Sequence, residues 1–241
     1  NTGAEDQRTL DFVNQCDKEW GLNLIWLEAD IKHGERVGTK YKAVDFGTAS
    51  RECEPFYEVV KKYGIPNKSY PHCNRELKLA PFEAWMKDHA PDAWRAIGIR
   101  CDEIDRMVMD MDKKKIIYPL IKLNPMRKGD ILGWWSRQSF DLDLPEHYGN
   151  CITCWKKSDR KLLTLAHSDP SLFNHFDSME IIAKDVGSNA ENNKGNFFRG
   201  NKNTKELIGQ SLLEFNKFHD KYYETHSDQS NGCSDSCDLF S

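Results

Sequence analysis

Residues 1–27 read NTGAEDQRTLDFVNQCDKEWGLNLIWL. Leu10, Phe12, Val13 and Cys16, then Trp20, recur at the spacing of one helical face, which predicts a helix over roughly Glu5 to Trp20. Leu22 to Leu27 follows as a short apolar run with the length of a buried strand. Asn1-Thr2-Gly3 ahead of the helix has the character of a strand's carboxyl end, so the order is strand end, helix, strand. That order is the repeat unit of a parallel sheet covered by helices. The expected fold class is therefore α/β: a Rossmann-like, open and mostly parallel sheet with helices on both faces, followed by a helical C-terminal part. With no initiator methionine and no charged or apolar leader before Asn1, the chain reads as a fragment or processed product.

Further along, Arg51 to Tyr63 and Arg75 to His89 have helical patterns, the first stopped by Gly64 and Pro66 and the second by Ala90 and Pro91. Trp94 to Arg100 (WRAIGIR) reads as a central strand that delivers Arg100 and Asp102 to its carboxyl edge, where ligands sit in open α/β sheets. Ile116 to Leu120 leads to a helix over Lys128 to Ser139, and a loop over Asp141 to Asn150 precedes Cys151-Ile152-Thr153-Cys154. Helices are expected over Asp159 to His167, Pro170 to Lys184 and Thr204 to Asn216. The expected organisation is an α/β domain over 1–184, a loop and C-terminal helix packed on it over 185–225, and a mobile cysteine-containing tail over 226–241.

The 241 residues suffice for one sizeable α/β core. A net charge of −4 does not describe a general nucleic-acid binder held by phosphate neutralisation. Lys113, Lys114 and Lys115, and Lys156, Lys157, Arg160 and Lys161, read as solvated surface. No apolar run approaches the roughly 20 residues that span a bilayer, which argues against a membrane role. Eight cysteines without an export signal suggest a reducing, cytoplasmic setting in which thiols bind metal or do redox work.

The most informative constellation is Cys73 followed, 78 positions later, by Cys151 and then Cys154. Two thiolates three apart on a turn can grip one metal centre, and a third from a distant loop would close it. A redox pair or buried, idle thiols would show the same pattern. Both pieces sit in loops flanked by cations that stabilise thiolate, Arg75 and Lys78 on one side and Lys156 and Lys157 on the other.

Several blocks, in order, carry a family resemblance: Asn1-Thr2-Gly3 with Thr9-Leu10-Asp11-Phe12-Val13, then Cys73-Asn74-Arg75-Glu76-Leu77-Lys78 with Pro81. Next come Ile97-Gly98-Ile99-Arg100-Cys101-Asp102-Glu103 with Arg106, Tyr118-Pro119-Leu120 and Phe140-Asp141-Leu142. The last are Gly149-Asn150-Cys151-Ile152-Thr153-Cys154 with Lys156, and Phe197-Phe198-Arg199-Gly200. Together they resemble the phosphoadenylyl-sulfate (PAPS) reductase-like family of the PP-loop, or adenine nucleotide alpha hydrolase, superfamily. The resemblance implies an adenine-nucleotide substrate, thiol-dependent reduction of an adenylyl-sulfate-type compound and a 4Fe-4S cluster, with zinc as the alternative metal. Thr2 and Gly3 would lie beside the base or ribose. Arg100 and Arg106 would face the same crevice and take sulfate or phosphate oxygens, which a guanidinium grips bidentately; an ion pair with Asp102 or Glu103 is the other reading of Arg100. Lys78 would neutralise cluster or substrate charge.

The chain departs from that family in three places. The Ser-Gly-Gly-rich phosphate loop that opens the family's fold would precede Asn1. His72-Cys73 stands where iron–sulfur members have two cysteines, so His72, a tail cysteine or an open iron would complete the ligand set of Cys73, Cys151 and Cys154. The C-terminal Glu-Cys-Gly-Leu-His motif of the reductases is absent, and Cys233 and Cys237 offer a nucleophile and resolving thiol in its place. The reductase reading adds a thioredoxin-like reductant as partner. Two further readings are ATP-dependent sulfur transfer to nucleic acid, of the phosphorothioation or thiolation type, and a non-catalytic metal-binding relative. Trp134 and Trp135, about 100° apart on a helix, place at least one ring in the core and are not read as a base-stacking platform.

Overall fold

The computed structural model describes residues 1–34, 37–67, 69–184, 186, 195–198 and 202–220. The chain divides into two compact units, one made of Asn1–Ala84 with the described chain from Leu144 onward, the other of Trp85–Asp143. The second unit is thus inserted in the sequence between Cys73 and Cys151. No helix among the described residues is long and apolar enough to cross a membrane.

In the first unit, α1 (Gln7–Trp20) starts where the Asp6 carboxylate accepts the Arg8 N–H and ends where Gly21 turns left-handed at φ 57°. Strand β1 (Trp26–Asp30) begins later than the run at Leu22 suggests. Asn23 also takes a positive φ, 56°, so the preceding apolar residues form an exposed connection. β1 pairs antiparallel with β2 (Lys40–Val44), Trp26 opposite Val44 and Asp30 opposite Lys40. Helix α2 (Glu54–Tyr63) has Pro55 in its first turn. The expected helix over Arg75 to His89 is composite: α3 (His72–Asn74), a π-helical turn (Arg75–Leu79) and α4 (Ala80–His89), which carries the chain into the second unit. After Leu144 come a 3₁₀ turn (Glu146–Tyr148), α7 (Asp159–Ser168), a second 3₁₀ turn (Pro170–Phe173), α8 (Asn174–Ala183) and α9 (Thr204–Ser211).

The core of this unit lies where α2, α7 and α8 meet β1. Val59, Val60, Leu162, Leu165, Ala166 and Met179 are fully buried, and Phe56, Phe176 and Phe197 pack edge-to-face with centroids 4.2 to 5.9 Å apart. Each such side chain contributes roughly 1.5–3 kcal/mol by leaving water.

The second unit holds β3 (Arg95–Ala96), a 3₁₀ turn (Cys101–Arg106), β4 (Ile116–Ile117), α5 (Pro119–Lys122) and α6 (Lys128–Trp135). β3 and β4 pair in parallel, Arg95 opposite Ile116, above a small core of Ile99, Ile116 and Tyr118. Trp134 and Trp135 meet edge-to-face at 4.8 Å, with Trp134 exposed. Among the described residues the named strands form these two pairs and no wider parallel sheet.

Candidate functional site

The site grows from three stretches of the first unit. Asn1 anchors the first: its Nδ2 donates to Glu28 Oε1 and to the Ser50 carbonyl, both at 2.7 Å, and Glu28 is buried. Gly3 then turns at φ 80°, and a Cβ there would meet Ser50 Oγ at 2.7 Å and the Cys53 backbone at 3.0 Å, so no side chain fits. Thr2 is buried between these anchors, with its Oγ1 donating to Glu5 Oε1 at 2.7 Å.

The second stretch is bonded to the first. The Ile152 N–H donates to the Ala4 carbonyl at 2.9 Å, and Glu5 and Cys151 form an antiparallel bridge, which brings Cys151 Sγ within 3.5 Å of Thr2 Oγ1. Asn150 enters this turn at φ 58°, the Cys154 N–H donates to the Cys151 carbonyl, and the Lys157 N–H donates to the Cys154 carbonyl. Beneath the turn the Lys157 ammonium donates to the His147 and Ile152 carbonyls at 2.5 and 2.7 Å. Lys157 is only 2% exposed and Lys161, ion-paired with Glu146 at 2.7 Å, only 6%. The solvated-surface reading of this lysine run is therefore corrected for both. Their aliphatic stems pack inside while fixed acceptors meet the charges.

The third stretch is α3 and its π turn. In a π turn the backbone bond reaches five residues, here Ala80 N–H to the Arg75 carbonyl. Residues five apart, such as Cys73 and Lys78, therefore come closer to one face than an α-helix would place them. Glu76 is buried here, accepting from Arg75 Nε at 2.6 Å and bonding Thr39 Oγ1.

These stretches enclose one cavity. Thr2, Cys73, Cys151, Cys154, Lys78 and Lys156 line it, with Asn74, against an apolar wall of Phe56, Leu77, Trp155 and Phe176, and it holds about 440 Å³ of atom-free space including its mouth. None of Cys73, Cys151 and Cys154 is in a disulfide. Three soft donors with two ammonium groups beside them are the donor types a thiophilic metal or an iron–sulfur cluster takes, but they line the cavity without forming a ready ligand set. Among the described residues, no group of three or more His, Cys, Asp or Glu side chains is arranged to hold a metal ion.

The other predicted residues stand as follows. His72 stacks between Tyr63 and Tyr70, centroids 5.2 and 5.9 Å away, and is not part of the cavity wall. Burial, aided by Arg75 and opposed by Glu76, pushes its imidazole below the usual range. Arg100 and Arg106 belong to the second unit. There Arg100 pairs with Asp102 at 3.0 Å and Glu103 at 3.1 Å, and Arg106 pairs with Glu103 at 2.5 Å. Arg100 in turn holds the Asp102 carboxyl below its usual range. Cys233 and Cys237 lie outside the described residues. The sequence reading missed Phe56, Trp155 and Phe176, because apolar residues in separate helices and turns carry no local mark of a shared wall.

No protein-family model and no solved structure matches the chain. Over its whole length it is similar to the uncharacterized nin region protein ORF290 of Escherichia phage lambda, at 32% identity over 248 residues covering 83% of that protein. Shorter stretches are similar to two uncharacterized proteins of Methanocaldococcus jannaschii. MJ0973 is 29% identical over 89 residues, 37% of the chain, and MJ0066 is 27% identical over 101 residues, 42% of the chain. In each case the match spans 16% of the archaeal protein.

Proposed function

The chain belongs to the family of the nin region protein ORF290 of phage lambda, and we propose that it is a PAPS reductase-like enzyme that reduces an adenylyl-sulfate-type nucleotide by thiol chemistry at a three-cysteine centre. The observation that supports this reading is the convergence of Cys73, Cys151 and Cys154 on one cavity that Thr2 and Lys78 also line. These are five of the residues expected from the resemblance. Nothing local in the sequence requires residues 78 apart to meet.

In this reading Cys73, Cys151 and Cys154 would hold the metal centre, drawn together on loading, and a 4Fe-4S cluster there would supply a soft, redox-active neighbour to the substrate. Thr2 Oγ1 orients Cys151, and Lys78 and Lys156 offset negative charge from thiolates and substrate. The nucleophile is a tail thiolate, Cys233 or Cys237. Its sulfur attacks the sulfate sulfur, the bond from that sulfur to the nucleotide's phosphate oxygen breaks, and the nucleotide leaves with the electron pair. The cysteine S-sulfonate is then reduced by two electrons from a thioredoxin-like dithiol, which releases sulfite and leaves a disulfide.

A second reading draws on His72. Its ring is engaged between two tyrosines rather than on the cavity wall, so Cys73, Cys151 and Cys154 alone would hold a cluster with a position left for sulfur, which would suit ATP-dependent sulfur transfer to nucleic acid. The complete protein, purified without oxygen, is analysed for iron and acid-labile sulfide. It is then assayed for sulfite release from adenylyl sulfate, or its 3′-phosphorylated form, with thioredoxin. Iron, sulfide and sulfite together support the reductase; pyrophosphate release from ATP without sulfite favours sulfur transfer; a colourless zinc protein with neither activity overturns both.

A further inference from the structure

Outside the cavity wall, the loop that leads into α3 carries a ladder of rings. His72 stacks on Tyr63 with centroids 5.2 Å apart and planes 22° apart, and on Tyr70 at 5.9 Å and 18°, so the three planes run nearly parallel. Cations sit over Tyr63, with Lys62 Nζ 5.0 Å and the Arg75 guanidinium 5.6 Å from its centroid. Tyr70, by contrast, is 49% exposed. An exposed ring gains little by leaving water, yet the loop fixes this one in place. Asn67 Oδ1 accepts the Ser69 and Tyr70 N–H groups, both at 3.0 Å, and the Tyr70 carbonyl accepts from the Asn67 and His72 N–H groups at 3.1 and 2.8 Å.

The charge around the ladder is one-sided. Residues 61–78 hold five cations, Lys61, Lys62, Lys68, Arg75 and Lys78, and one carboxylate, Glu76, in a chain whose net charge is −4. Arg75 bonds Glu76 through Nε and is still 59% exposed, and Lys61, paired with Glu58, is 47% exposed. Ring planes set among cations match a chain of alternating bases and phosphates. We propose that this face binds single-stranded nucleic acid, with Tyr70 extending the ladder by one stacked base and the cations of residues 61–78 meeting the strand's phosphates. The proposal rests on neither reading of the cavity. Magnitude selects the ligand: one base stacked on a ring contributes about 5- to 150-fold in affinity. That is too little to retain a free nucleotide, whereas a strand adds phosphate contacts on either side. A duplex keeps its base faces within its own stack.

The test is fluorescence anisotropy of the complete protein, at low salt, with labelled single strands of DNA and of RNA about 16 nucleotides long. The wild-type protein is expected to bind at least one of them more tightly than the corresponding duplex. Tyr70→Ala should weaken that binding by about 5- to 150-fold, whereas Tyr70→Phe, which keeps the ring, should bind as the wild type does. Tyr70→Leu keeps an apolar side chain without the planar face and serves if Tyr70→Ala does not fold. Wild-type affinity in a folded Ala or Leu variant would overturn the proposal, as would an affinity for duplex equal to that for single strands or no binding to either strand. Displacement of the strand by adenosine monophosphate as readily as by unlabelled strand would make this a nucleotide site and overturn it too. Failure of both variants to fold would reduce the ladder to a structural tie.

Discussion

A methyl group on Gly3 would sit 2.7 Å from Ser50 Oγ and 3.0 Å from the Cys53 backbone, in a residue already at φ 80°. Gly3→Ala is therefore expected to cost about 1–3 kcal/mol in urea denaturation. It should also disturb Thr2, whose hydroxyl contacts Cys151. Below Gly3, burial pushes the Cys53 thiol up to about 12, with Glu5, Glu54 and Glu52 adding to the shift. The folded state keeps this proton at pH values where the unfolded chain, starting from 9.0, releases it. Stability should thus be undiminished below about pH 9 and fall as pH rises toward 12, by roughly 1.4 kcal/mol per unit. Cys53→Ala should flatten that alkaline limb, measured as urea midpoints from pH 8 to 10. At this scale Cys151 and Cys154 stand out in the sequence, because a three-residue spacing and flanking cations are local signals, whereas Cys73 joins them on the cavity wall only through the fold. The place of His72 was not legible there, since the choice between coordinating and stacking depends on Tyr63 and Tyr70, which only the fold brings beside it.

Among the elements, helix positions were read well and strand positions less so. Helical periodicity and caps such as Asp6 and Gly21 are written within one turn of chain. The start of β1 depends on the left-handed Asn23, and β2 (KYKAV) is mostly exposed and has no apolar alternation to announce it. The π turn was hidden for a similar reason: its extra residue is held by a bond between Glu76 and Thr39, far apart in sequence. Glu180 plays the corresponding part for α9. It is buried in α8 and accepts the Phe197 N–H at 2.8 Å and the Thr204 N–H at 2.9 to 3.0 Å, so it fastens the start of the last described helix. Glu180→Ala would strand both donors, at about 1–3 kcal/mol each if they stay buried. Faster amide exchange across Thr204–Ser211, with α1 unchanged, is the expected signature.

For the molecule as a whole, the wider parallel sheet expected from the strand–helix–strand order is not what the described residues display, whereas Cys73, Cys151 and Cys154 do line one cavity. If a metal joins Cys73 to Cys151 and Cys154, it ties segments separated by the whole Trp85–Asp143 unit and stabilises only the state in which they meet. Metal loading should slow hydrogen exchange chiefly in residues 1–6, 72–79 and 147–157, and a chelator should reverse the effect. Unchanged exchange in those segments, at a saturating concentration confirmed by titration, would contradict the three-cysteine centre. The contact between Thr2 and Cys151 spans 149 positions, and it bears on how the protein is made. While the ribosome is still producing the inserted unit, Ala4 and Thr2 lack the partners they find in the Cys151–Cys154 turn, and Cys73 waits beside an unfinished wall. The site can assemble only late, after a loop of 149 positions has closed, so a nascent chain arrested before Cys151 should carry its early thiol open to trapping reagents.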